Sequence, residues 1–185
     1  MNAGLQGLLD REAIRDCLYR YCRGIDRADE AALRSAYWDD ATDCHGAWNG
    51  SATGFIDQAL LKLREGGRRV HQVSNIAIEI HGDSAAVESA FLALQAPAST
   101  PGRETFLCGR YVDRFERRQD EWRIAARTVV YDWIEERDRP ELACDDASLF
   151  GRRQPNGSAA PSDPIYTLLG EMRARPCSLD ARASG

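Results

Sequence analysis

ETFLCGRYVDRFERR (104–118), QDE (119–121) and WRIAARTVVYDWIEE (122–136) read as two long β-rich stretches hinged on a tight polar turn. Both are dense in β-branched and aromatic residues, the composition of paired strands. Upstream, VHQVSNIAIEI (70–80), the turn HGD (81–83) and SAAVESAFLALQ (84–95) make a second hairpin, connected to the first by APASTPGR (96–103). Before residue 70 the hydrophobic period changes. Ile14, Cys17, Leu18, Tyr21, Cys22 and Ile25 recur at steps of three and four across 10–25, one face of an amphipathic helix with Asp10 as its N-cap. Asp29 precedes a second helix, EAALRSAYW (30–38), ending near Asp39-Asp40. Residues 41–52, around Gly46 and Gly50, read as a loop, and Thr53 caps a third helix, GFIDQALLKLRE, stopped by Gly66-Gly67. Three helices followed by four antiparallel strands predict an α+β fold rather than an alternating α/β one.

Composition narrows the function. The chain has 185 residues, 24 Lys+Arg against 29 Asp+Glu, a formal net charge of -5 and 43% hydrophobic residues. At roughly 100–200 residues per domain this is one core-forming unit. It divides into a domain over 1–135 and an irregular, Pro-, Gly- and Ser-rich tail over 136–185, with one short helix at about 164–174. The acidic balance argues against a non-specific nucleic-acid binder, which needs Lys and Arg to displace counterions. No apolar run approaches the ~18 residues of a membrane span, and the N-terminus lacks the basic start and apolar core of a secretory leader, so a cytoplasmic protein is expected. The six cysteines (17, 22, 44, 108, 144, 177) form no CxxC pair and are expected to be reduced. With three histidines and no CxxC spacing, no metal site is expected. The set Trp122, Ile124, Ala126, Thr128, Val130 and the set Ala125, Arg127, Val129, Tyr131, Trp133 are both largely apolar. A homodimer or homotrimer through the sheet face is therefore expected, because soluble proteins rarely expose large apolar patches.

Dinucleotide, P-loop and nucleophile-elbow motifs are absent, which leaves polar residues on apolar elements as candidates. Tyr21 sits within the first helix's apolar stripe and Asp26 at its edge, where a carboxylate either caps the next segment or opens on a pocket and orients a histidine. His71 shares a strand face with Val73, Asn75, Ala77 and Glu79, opposite Ile76, Ile78 and Ile80. The isoleucines should claim the core unless both faces are covered or a bulge intervenes. An ordinary pKa near 6.5 otherwise suits His71 to be a general base. Arg127 lies mid-strand among apolar neighbours and must either pair with Asp26, Glu88 or Asp113 or clamp a developing negative charge. Trp38, Trp48, Phe55, Phe91 and Tyr111 are candidate pocket or core aromatics, and Glu88 a second pocket acid or an outward residue. His45 and His81, in loops, receive no role.

LYRYCRGIDRADEAALRSAYWDDAT (18–42), RVHQVSNIAIEIHGDSAAVESA (69–90) and YVDRFERRQDEWRIAARTVVYDW (111–133) together resemble the SnoaL-like branch of the nuclear transport factor 2-like superfamily, over roughly residues 8–135. The resemblance implies a cone: three N-terminal helices packed into a strongly curved antiparallel sheet around a deep, mostly apolar pocket. It implies the cofactor-free Asp–His dyad of that branch's dehydratases and dehydrochlorinases at Asp26 and His71. Tyr21 matches a position holding Tyr or Lys in relatives, and Arg127 a pocket arginine. The further His or Asp of the dehydratases has no clear equivalent, since Ser89, Phe91 and Gly109 are poor substitutes. The expected activity is thus a lyase acting on a small apolar cyclic molecule without cofactor or metal. The alternatives are an isomerase or cyclase using the same base, or a non-catalytic ligand-binding or dioxygenase small-subunit-like protein.

Overall fold

The computed structural model describes residues 3–138 and 155–174. Helix α1 (Ala3–Arg27) leads through Ala28, at φ 49°, into α2 (Glu30–Ser35), β1 (Tyr37–His45) and β2 (Trp48–Ser51). Then follow α3 (Ala52–Arg64), β3 (Gly67–His81), β4 (Ser84–Pro97), β5 (Arg103–Arg118), β6 (Glu121–Asp138) and α4 (Pro164–Ala174). The six strands form one open sheet in the order β2-β1-β6-β5-β4-β3. β3 to β6 pair antiparallel as successive hairpins, whereas β1 lies parallel to β6. The class is α+β as expected, with a mixed rather than wholly antiparallel sheet. Among the described residues no helix is long and apolar enough to cross a membrane.

Several expectations are corrected. Residues 41–52 are not a loop: β1 and β2 pair from Thr42↔Ser51 to His45↔Trp48, and Gly46, at φ 61°, makes the turn. The sheet therefore has six strands, not four. α2 ends at Ser35 rather than near Asp39, because Tyr37 onward is drawn into the sheet against β6. Asp29 does cap α2, its carboxylate accepting from Ala32 N–H at 3.0 Å. Ser51, not Thr53, caps α3 by accepting from Gly54 N–H. Asp10 is no cap, since α1 begins at Ala3 and the buried Asp10 carboxylate instead accepts from the Trp122 indole at 2.9 Å.

Two bulges decide which side chains point inward. In β3, Ser74 pairs with Ala90 and Ala77 with Glu88, so Asn75 and Ile76 together oppose Ser89. Asn75 takes φ 49°, a left-handed conformation that asparagine tolerates better than most residues. Across the bulge the alternation inverts. His71 and Val73 face the interior before it; Ile76, Ile78 and Ile80 face it after. The isoleucines and His71 therefore share one side, which an unbroken period of two does not allow. In β6, Phe115 pairs with Ile124 and Arg114 with Ala126, leaving Ala125 as the extra residue. Trp122 and Ile124 are buried before it, and Arg127 and Val129 after it. Both alternating sets along β6 are apolar because each faces the core over part of the strand, so that pattern alone does not require a covering subunit.

α1 lies against β3 and β6 and closes one side of the core around Ile14, Leu18, Tyr21, Leu33, Tyr37, Phe115 and Ile124. Burial pushes the Cys17 thiol up to about 11 and the Cys22 thiol up to about 12, so both behave as small apolar groups. Cys17, Cys22, Cys44 and Cys108 are free; Cys144 and Cys177 lie outside the described residues, as does tail segment 139–154.

Residues 155–174 return to the end of α1. Ala160 N–H donates to Arg27 C=O at 2.8 Å, Arg27 pairs with Asp163 at 3.3 Å, and the Tyr166 hydroxyl donates to Asp29 at 2.8 Å. The Ser158 amide, with help from Ile165 N–H and Arg27, holds the Asp163 carboxyl below its ordinary value. A depressed carboxylate pKa contributes at neutral pH and is lost as the pH falls through the folded value, below 3.8. Asp163→Ala is expected to speed amide exchange throughout α4 at neutral pH, and wild-type protection there, taken relative to the intrinsic exchange rate at each pH, should fall on acidification below that value. Unchanged α4 protection in the variant would show that Asp163 does not hold this segment.

Candidate active site

Asp26 stands in the last turn of α1 and His71 near the start of β3. Asp26 Oδ1 lies 2.7 Å from His71 Nδ1, while Oδ2 accepts the His71 backbone N–H at 3.0 Å. One carboxylate thus fixes both the ring and the backbone that carries it. Their side chains are 13% and 8% exposed, so the contact is nearly dry and little screened by solvent. With Asp26 ionised, Nδ1 carries the proton and Nε2 is the free basic nitrogen.

His71 lies between two hollows. The larger, about 720 Å³, is lined by Tyr21, Ile25, His45, Trp48, Phe55 and His71, with Lys62, Glu65, Arg68 and Arg69 also contributing. The other, about 640 Å³, lies over Tyr19, Cys22, Asp26, His71 and Leu92. Tyr19 and Leu92 are exposed there, at 48% and 37%, which marks a surface depression. The aromatic-walled cavity has the size and lining of a small-molecule site. Arg69 borders it but is occupied, donating to Leu63 C=O and Gly66 C=O at the end of α3.

Tyr21 reaches this cavity, and burial raises its hydroxyl pKa far enough that it stays a neutral donor at any physiological pH. Its ring packs edge-on to Tyr37 and Tyr111, at 5.9 and 5.7 Å. Arg127 is fully buried and does not line the cavity; its guanidinium sits in the corner formed by the Tyr21 and Tyr111 rings, 4.2 and 4.1 Å from their centroids. Nε and Nη2 donate to Asp113 at 2.8 and 2.7 Å, and Nη1 has no hydrogen-bond partner among the described residues. Of the three carboxylates open to Arg127, Asp113 takes it because the β5–β6 register sets those two residues opposite each other.

The other candidates separate. Phe55 and Trp48 line the cavity. Phe91 and Tyr111 are buried behind it, stacked at 4.6 Å, and belong to the core. Trp38 lies away from it, its ring in contact with the guanidiniums of Arg118 and Arg123 and its indole N–H on Glu116 C=O. Glu88 points outward to Arg110 at 3.1 Å. His45, assigned to a loop and given no role from sequence, is the residue that reading missed. It ends β1, lines the cavity and stacks on Phe55 at 4.4 Å. The available signal was Asp43-x-His45, two residues apart and hence on one strand face.

Known proteins agree with this architecture. A SnoaL-like domain profile matches residues 6–128. Among solved structures, a type 2 hexachlorocyclohexane dehydrochlorinase is 22% identical with a TM-score of 0.66, covering 73% of this chain and 93% of that one. A type 3 enzyme of the same name from Novosphingobium barchaimii is 20% identical at 0.66, covering 73% and 94%. A protein of unknown function from Mycobacterium tuberculosis is 21% identical at 0.60, covering 94% of this chain and 92% of that one. No curated protein matches. At such identities the structural likeness speaks to the fold, while the profile spans well over half the chain: the protein belongs to the SnoaL-like domain family.

Proposed function

We propose that the protein is a cofactor-independent lyase that eliminates a leaving group from a small, largely apolar cyclic molecule. The observation that carries this reading is the 2.7 Å Asp26–His71 contact on the wall of an aromatic cavity. His71 Nε2 removes a proton from carbon, the C–H electron pair becomes the new C=C bond, and the leaving group departs with its own electron pair. Asp26 holds the tautomer and stabilises the imidazolium that forms. Tyr21 supplies a hydrogen bond to oxygen as charge develops, and Arg127 acts from behind by fixing the Tyr21 and Tyr111 rings. Proton transfer and departure of one group require neither redox partner nor metal.

A panel of cyclic β-hydroxy ketones and halogenated cyclohexanes, followed by product mass, tests this. Loss of water or hydrogen halide supports the lyase. Retained mass with a moved double bond shows an isomerase using the same base. Ligands that stabilise the fold yet return unchanged show a binding protein.

We also propose a homodimer or homotrimer, with Val70, Leu92, Leu94 and Val112, exposed at 37–48% on the outward sheet face, covered by a second copy. Analytical ultracentrifugation should give two or three times 20.6 kDa, with Leu92→Glu shifting it to monomer; a monomeric wild type sinks this expectation.

A further inference from the structure

His45 forms a second histidine–carboxylate arrangement on the cavity. Asp43 and His45 are two residues apart on β1, on the strand face turned inward. Asp43 is 1% exposed, and its Oδ2 accepts the Tyr37 hydroxyl at 2.7 Å. Its Oδ1 faces His45 Nδ1 at 3.6 Å, and both atoms are buried without a hydrogen-bond partner among the described residues. At that distance no hydrogen bond is made, but two complementary unmet atoms need only a small ring rotation to close it. Burial, opposed by Arg127, keeps Tyr37 protonated, so its hydroxyl has a proton to give Asp43 Oδ2 and leaves Oδ1 for His45. Tyr131 stands 6.3 Å away edge-on, and Phe55 covers the ring face. Lys62, Glu65, Arg68, Arg69 and His71 are the other ionisable groups of the cavity besides Tyr21. With Nδ1 shut against Asp43 and the side chain 24% exposed, the rest of the imidazole is what the cavity meets.

We propose that His45, positioned by Asp43, is the acid that protonates an oxygen leaving group, and that the substrate class is accordingly a cyclic alcohol that loses water. This rests on the lyase reading above and adds to it. His71 takes the proton from carbon, the C–H pair forms C=C, the C–O bond breaks, and its pair accepts the proton from His45 Nε2 to give water. His71 leaves the step protonated and His45 neutral, and exchange of one proton each with solvent resets both. Halide needs no such acid, whereas hydroxide is a poor leaving group unless protonated. A residue of this kind is worth about 10²–10⁴-fold.

Long-range ¹H–¹⁵N spectra of ¹⁵N-histidine protein, assigned with His45→Gln, His71→Gln and His81→Gln, test the arrangement without a substrate. At about pH 8, above the ordinary imidazole value, His45 is expected with Nδ1 protonated and Nε2 bare, becoming an imidazolium on acidification. Asp43→Asn should abolish that preference. A His45 that holds its proton on Nε2 in the wild type, or that ignores Asp43→Asn, overturns the proposal. His71 and Asp26→Asn are read in the same spectra, so failure of the first dyad is seen separately from failure of the second. In turnover, His45→Gln should cut water loss from a β-hydroxy cyclohexanone by at least about 10²-fold and chloride loss from its β-chloro counterpart by less than about tenfold. Equal losses on both, or a wild type that expels chloride and leaves the hydroxy ketone intact, overturn it.

Discussion

Replacing His71 with alanine is expected to lower elimination by about 10²–10⁴-fold, the usual contribution of a positioned base. The fold should survive. Asp26 keeps some solvent access at 13% exposed, and the residue 71 backbone N–H still reaches its Oδ2. The cost to stability is that of a partly buried hydrogen bond, about 1–2 kcal/mol. Circular dichroism and a denaturation midpoint near wild type would therefore accompany the lost turnover. Asp26→Asn makes the sharper variant, since it preserves shape while removing the charge and turning one of the two accepting oxygens into a donor. Without the carboxylate the ring is free to carry its proton on Nε2, where it cannot act as a base, and the imidazolium formed during reaction loses its counter-ion. Turnover should fall nearly as far as in His71→Ala, and the double variant should be little worse than either single one, because the two residues act as a unit. Undiminished turnover in His71→Ala would remove the dyad from the mechanism altogether.

Helix faces and the long hairpins were legible because they rest on local periodicity. α1 shows its inward stripe at steps of three and four, and β3 to β6 announce themselves by composition and short turns. β1 and β2 were not, because each is only half of a pattern. β1 is held by a parallel pairing to β6, some 80 positions later in the chain, which no window of sequence contains. The side on which His71 lies depends on Asn75 alone: an alternation read straight through 70–80 puts His71 and the isoleucines on opposite faces, and a single left-handed residue reunites them. The Asp26–His71 contact joins residues 45 apart, so spacing cannot reveal it and only the family resemblance pointed there. His45 was passed over for the same reason as β1: glycines nearby made a strand end look like a loop. Arg127 is the converse case. Its mid-strand position correctly implied a partner, and only the register could choose among three carboxylates.

Asp113→Ala is expected to destabilise the protein by about 3–5 kcal/mol, the cost of leaving a buried charge unpaired. Both side chains of the pair are 0% exposed, so no water can replace the lost carboxylate. Burial pushes the Asp113 carboxyl up while Arg127 pulls it back; burial likewise weighs against the guanidinium, yet Asp113 leaves Arg127 well above its ordinary value. Two short bonds from one fork to one carboxylate are the geometry of an ionised pair. The variant keeps the cation against Tyr21 and Tyr111 with three orphaned nitrogens instead of one, and those rings offer only cation–π attraction in return, about 2 kcal/mol or less. For a chain of this size the loss corresponds to a melting point lower by about 6–20 °C. Removing both charges separates pairing from burial: Asp113→Leu with Arg127→Met deletes the desolvation cost along with the bond and should recover most of the stability. The double variant would then fold while Tyr21 loses the guanidinium behind its ring, so elimination should fall although His71 and Asp26 are untouched. A single Asp113→Ala variant within about 1 kcal/mol of wild type would place the pair among contacts that contribute little. Full turnover in the folded double variant would show that Tyr21 is held by its aromatic neighbours alone.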